Sequence, residues 1–74
     1  MAKKGLKFGE ALRAARLEVG WTQHELADHV GASTGTVCVW EKGRKPLPVF
    51  HERGMRFIQD VHAGVIKPKT EYLF

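Results

Sequence analysis

The chain has 74 residues, a formal net charge of +4 and a single cysteine, Cys38. A chain this short makes one small domain that buries only about 60% of its unfolded surface, which argues against a large active-site cavity and makes dimerisation a natural support. One cysteine rules out an internal disulfide, in keeping with a reducing cytoplasm. No apolar run is long enough for a signal peptide or a membrane span, and the basic balance favours an acidic partner such as nucleic acid.

Residues 1–7 carry Lys3, Lys4 and Lys7 around Gly5 and read as a flexible basic arm, either a solvated terminus or a DNA-contacting one. Phe8 to Val19 reads as the first helix. Phe8, Leu12, Ala15 and Val19 share one face, with Leu17 packing at its edge and Glu10 and Arg13 outside. Arg16 lies beside that apolar stripe, so its charge needs a partner or a route to water.

Trp21 to Pro46 holds two short helical patterns back to back. Thr22 stands as an N-cap with Glu25 three residues on, a capping box, and Trp21 and Leu26 flank it as a hydrophobic staple. The helix runs from Gln23 to His29 or Val30 and turns Leu26, Ala27 and Val30 inward. Gly31 supplies the left-handed residue that ends it. Ser33 then caps a helix from Thr34 to Glu41, with Val37 and Trp40 on one face and Thr34, Gly35, Cys38 and Val39 on the other. Helices joined by so tight a turn cross steeply, which lets the second enter a groove. Gly43 stops it. Lys42, Arg44 and Lys45 follow, while no lysine or arginine occurs between Leu17 and Glu41. The basic charge therefore brackets the two helices, as a phosphate clamp does; the plainer alternative is a solvated loop.

Pro48 to Ala63 reads as a fourth helix, with Leu47, Phe50, Gly54, Phe57, Ile58 and Val61 on one stripe. Gly54 either permits close packing or breaks the segment in two; one helix is favoured. Residues 65–74 form a tail that Pro68 keeps from being one helix. A frayed end, a strand pairing across a dimer, and an apolar segment (Tyr72 to Phe74) docking on a partner protomer all remain open.

Gln23 at the opening of the first motif helix, Ala27 inside it, Gly31 in the turn, Val37 in the second helix and the Trp40-Glu41-Lys42-Gly43 ending resemble the helix-turn-helix of the lambda-repressor-like (Cro/CI-type, XRE) family, from Phe8 to Pro46. The resemblance implies an all-α fold, a small domain of four to five helices over residues 8–64. It implies that Gln23 and Thr36 hold backbone phosphates, to which Lys42, Arg44 and Lys45 add their charge. It places Thr34, Gly35 and Val39 at base-contacting positions, with Cys38 adjacent. It also implies that Arg16 pairs with Glu41. The function expected on this basis is a sequence-specific regulator that binds a double-stranded DNA operator as a homodimer, acting as a repressor of phage or mobile-element type.

None of Thr34, Gly35, Cys38 and Val39 is Arg, Lys, Asn or Gln, so bidentate reading of guanine or adenine is not available to them. Hydroxyl contact from Thr34, apolar contact with thymine methyls and DNA shape remain. This face also motivates a second reading, a protein-interaction module such as an antitoxin or corepressor on the same scaffold. His24, His29, His51, His62 and Cys38 match no zinc spacing, so no metal is expected. No cofactor is expected either. No nucleophile and base stand at a catalytic spacing, so an enzyme is not expected. Cys38 is read as a buried or merely small residue rather than a redox switch, since no nearby base is evident to lower its pKa.

Overall fold

A computed structural model describes residues 7–69 of the chain. Its four helices are α1 (Phe8–Glu18), α2 (Gln23–Val30), α3 (Thr34–Glu41) and α4 (Pro48–His62), with no strand among the described residues. The first and last stop one residue short of the sequence expectation, because Val19 and Ala63 serve as C-caps. α4 runs unbroken through Gly54.

The local signals act as the physics requires. Thr22 Oγ1 accepts from the Glu25 N–H at 3.1 Å, and Glu25 Oε1 accepts from the Thr22 N–H at 2.8 Å, so two otherwise unpaired donors of α2 are satisfied reciprocally. Gly31 takes φ 81°, and the N–H groups of Gly31 and Ala32 both donate to the Ala27 carbonyl at 2.9 Å. Ser33 Oγ accepts from the Thr36 N–H at 3.1 Å and so caps α3. At the far end of α3 the Arg44 N–H donates to Val39 O and the Gly43 N–H to Trp40 O, the paired bonds of a Schellman ending.

The core takes Leu12, Ala15 and Val19 from α1, Leu26, Ala27 and Val30 from α2, Val37 and Trp40 from α3, and Phe57, Ile58 and Val61 from α4. α1 lies on α3 and α4, and α2 on α3 and α4. Two glycines allow the close approaches. A Cβ at Gly9 would stand 1.9 Å from the Trp40 carbonyl oxygen, so the start of α1 rests directly on the backbone at the end of α3. A Cβ at Gly54 would stand 2.5 Å from Phe8 Cζ, where the Phe8 ring lies against α4.

Two apolar expectations are corrected. Leu17 does not pack at the edge of α1 but is 51% exposed, and Leu47 leaves the α4 stripe at 68% exposed. Leu47 is the N-cap of α4, outside the first turn, so helical periodicity does not govern where its side chain points. Phe57 and Ile58 are buried in the core, as their place on the α4 stripe predicts.

After α4 the chain folds back on itself. Ile66 packs against the core, the Lys69 N–H donates to Val19 O at 3.1 Å, and the Lys69 ammonium pairs with Glu25. This part of the tail is therefore engaged within its own protomer. Residues 1–6 of the arm and 70–74 of the tail lie outside the described residues.

Candidate nucleic-acid interface

The site is organised by one carboxylate. Glu41, at the last turn of α3, accepts from Arg16 Nε at 2.8 Å and Arg16 Nη2 at 3.0 Å, a bidentate pair from α1. It also accepts from Gln23 Nε2 at 3.0 Å, from the first residue of α2. The remaining Arg16 nitrogen, Nη1, donates to the Trp21 carbonyl at 2.9 Å. Side-chain exposure is 10% for Arg16 and 4% for Glu41, so the pair is shielded from water and salt. Three helices and the α1–α2 loop thus meet at one ion pair, which fixes the crossing of α2 and α3. The same fixed fork could not come from lysine, whose ammonium is a point charge without bidentate geometry.

Around this hub, α3 turns Val37 and Trp40 inward and presents the opposite arc to solvent. Thr34, Gly35 and Val39 are exposed on that arc, and Cys38 is half-buried between them. Thr36 is half-buried, and its hydroxyl lies 2.7 Å from Ser33 Oγ. Lys42, Arg44 and Lys45 are all exposed just past the C-terminus of α3. They line a cleft of about 590 Å³ between that loop and the start of α1, together with Lys7 and His51. Gln23 sits at the N-terminus of α2, where the leading backbone N–H groups and the helix dipole favour an anion.

A scan against protein-family models matches the helix-turn-helix domain model over residues 7–57. The chain belongs to that family. Neither the curated proteins nor the solved structures gave a match. In this helix-turn-helix domain, α2 and α3 are the paired helices and residues 31–33 the turn. Membership supports a DNA-binding domain, and it accords with an exposed arc on α3 that contributes nothing to the core.

The helix-turn-helix geometry brings together most of the residues singled out from sequence. Thr34, Gly35, Cys38 and Val39 share one arc, and the cations sit at its C-terminal end. Gln23 differs in one respect: its side-chain amide is turned inward to Glu41, leaving the backbone at the α2 N-terminus as the outward donor set. Other side chains had no sequence signal. Arg53 reaches from α4 to donate to the Val30 carbonyl at 3.0 Å, closing the end of α2 just before the turn. His24 places Nδ1 3.1 Å from Thr34 Oγ1, joining the first turn of α2 to the first residue of α3. Both depend on how separate helices come together, which periodicity within one helix does not reveal.

The carboxyl of Glu25 is electrostatically perturbed. The hydrogen bond from the Lys69 ammonium, followed by the Thr22 backbone N–H, holds its carboxyl below the usual carboxylate range. The four described histidines and Cys38 do not gather: among the described residues no cluster of three His, Cys, Asp or Glu side chains is placed to hold a metal ion. Nor is any described helix long and apolar enough to cross a membrane.

Proposed function

We propose that the chain is a sequence-specific transcriptional regulator of the lambda-repressor-like (Cro/CI-type, XRE) kind, a homodimeric repressor of phage or mobile-element type acting in the cytoplasm without enzymatic activity. The observation that carries this reading is the α3 arc of Thr34, Gly35, Cys38 and Val39, uncharged and outward, with Lys42, Arg44 and Lys45 at its end. α3 enters the major groove and the three cations clamp phosphates beside it. Gln23 contributes its phosphate contact through the N-terminus of α2, because its amide is given to Glu41. Thr36 adds a hydroxyl contact to the backbone. Thr34 reads a base edge by hydrogen bonding, Val39 and Cys38 meet thymine methyls, and Gly35 lets the backbone approach closely. The DNA-binding unit spans residues 8–64, with 1–7 as a basic arm and 65–74 as a tail. Occupying an operator excludes polymerase.

A specific observation favours a second reading. The outer face of α3 lacks every side chain capable of bidentate base recognition and exposes Val39. A protein-interaction module, such as an antitoxin or corepressor, fits that face. Salt separates the two. Binding of a duplex carrying the DNA upstream of the chain's own coding sequence, followed by fluorescence anisotropy, is expected to weaken steeply as salt rises. Arg44→Ala is expected to weaken binding to all sequences and to reduce the logarithmic salt slope by about 1. A duplex affinity that does not respond to salt refutes the regulator reading and leaves the interaction module.

A further inference from the structure

We propose that His24 is a positioning residue that sets which bases Thr34 accepts, by fixing the direction of the Thr34 hydroxyl. The inference rests on the reading of α3 as the base-contacting helix. His24 Nδ1 lies 3.1 Å from Thr34 Oγ1, and the roles of donor and acceptor in that bond depend on the tautomer of the ring. A neutral imidazole has one N–H and one bare nitrogen. On the other edge of the ring, Asp28 Oδ2 lies 3.7 Å from Nε2, one turn along α2. A carboxylate on that side favours the proton on Nε2. Nδ1 is then the bare nitrogen, and the Thr34 hydroxyl must donate to it.

This consumes the one donor Thr34 has. What Thr34 shows to the groove is the lone pairs of Oγ1 alone, so it accepts and does not donate. Near the middle of the major-groove edge, adenine and cytosine offer an amino donor, from N6 and N4, whereas guanine and thymine offer a carbonyl acceptor, from O6 and O4. An oxygen that can only accept pairs with the first two and opposes the second two. A free threonine hydroxyl rotates to suit either. The His24–Thr34 bond therefore converts a permissive residue into one that separates amino from keto bases. Because His24 and Asp28 are largely exposed, with side chains 72% and 74% accessible, their replacement leaves the core untouched.

The test is in vitro selection from a random double-stranded DNA library at pH 8, with the wild type, Thr34→Val and His24→Leu. The position whose preference changes in Thr34→Val is the one Thr34 faces. There the wild type is expected to prefer adenine or cytosine over guanine or thymine by about tenfold. In His24→Leu that ratio is expected to fall below about threefold, with the other positions of the motif unchanged and the melting temperature within about 4 °C of wild type. A preference for keto bases, a ratio that survives His24→Leu, or a Thr34→Val variant that selects the wild-type motif overturns the inference while the DNA-binding reading stands. Enrichment of no duplex at all by the wild type overturns both.

Discussion

Replacing Glu41 with glutamine keeps the shape of the side chain and removes its charge. In the native protein its two oxygens accept from Arg16 Nε, Arg16 Nη2 and Gln23 Nε2, at 2.8, 3.0 and 3.0 Å. A glutamine turns an NH2 toward donors on one side or the other, so at least one contact becomes repulsive. The Arg16 guanidinium, 10% exposed, is left without a counter-charge. Breaking one side of a buried pair costs about 3–5 kcal/mol. A domain of this length holds roughly 4–11 kcal/mol in total, so much of the stability goes with one atom exchange. The expected fall in melting temperature is at least about 12 °C. Thermal unfolding followed by far-ultraviolet circular dichroism measures it, with urea unfolding followed by tryptophan emission as a second probe. The double variant Arg16→Met with Glu41→Leu is expected to recover most of the loss, because no charge is then stranded. A Glu41→Gln loss under about 1 kcal/mol, or a double variant no better than the single, would show that the pair is not what holds the three helices together.

The two packing glycines separate by what they touch. Gly9→Ala drives a Cβ into the Trp40 backbone, which cannot swing aside, and should cost about 3 kcal/mol, whereas Gly54→Ala meets the tip of the Phe8 ring and should cost about 1–2 kcal/mol after its gain in helix propensity. Urea midpoints rank the pair, and a milder Gly9→Ala contradicts the contact between α1 and the end of α3. The Lys69–Glu25 pair predicts a pH effect. Glu25 has its carboxyl lowered in the folded state, so its contribution is present above the unfolded value and lost as pH falls through the folded one. A proton titration of Glu25 by NMR should show its midpoint moving up in Lys69→Ala; an unmoved midpoint removes Lys69 from the account.

The helices were legible because their ends are written locally. Thr22 with Glu25, Ser33, Gly31 and Gly43 each act within a few residues, and a cap works the same way in any tertiary surrounding. The stripes of Leu12, Ala15 and Val19 and of Phe57, Ile58 and Val61 were legible for the same reason, since a face is a property of one helix. Leu17 and Leu47 were misread because an apolar side chain at a stripe's border, or just outside a helix, is buried only if another element reaches it. Gly9 gave no sign, as nothing local distinguishes a glycine pressed on a distant carbonyl from one in open solvent.

The sequence alone determined four helices, a tight turn at Gly31, an outward arc on α3 and the bracketing cations. All of these follow from local bonds, helical periodicity or the positions of the charged residues along the chain. The tertiary structure alone decided the rest. It turned the Gln23 amide toward Glu41, brought Arg53 to the end of α2, folded Lys69 back onto Glu25 and set His24 against Thr34. Each of these joins groups carried by different helices or by the segment after α4, and which groups meet there depends on where the core places each backbone. The outward arc of α3 in this helix-turn-helix domain was thus visible in the chain, while the hydrogen bonds around it exist only once the helices are packed.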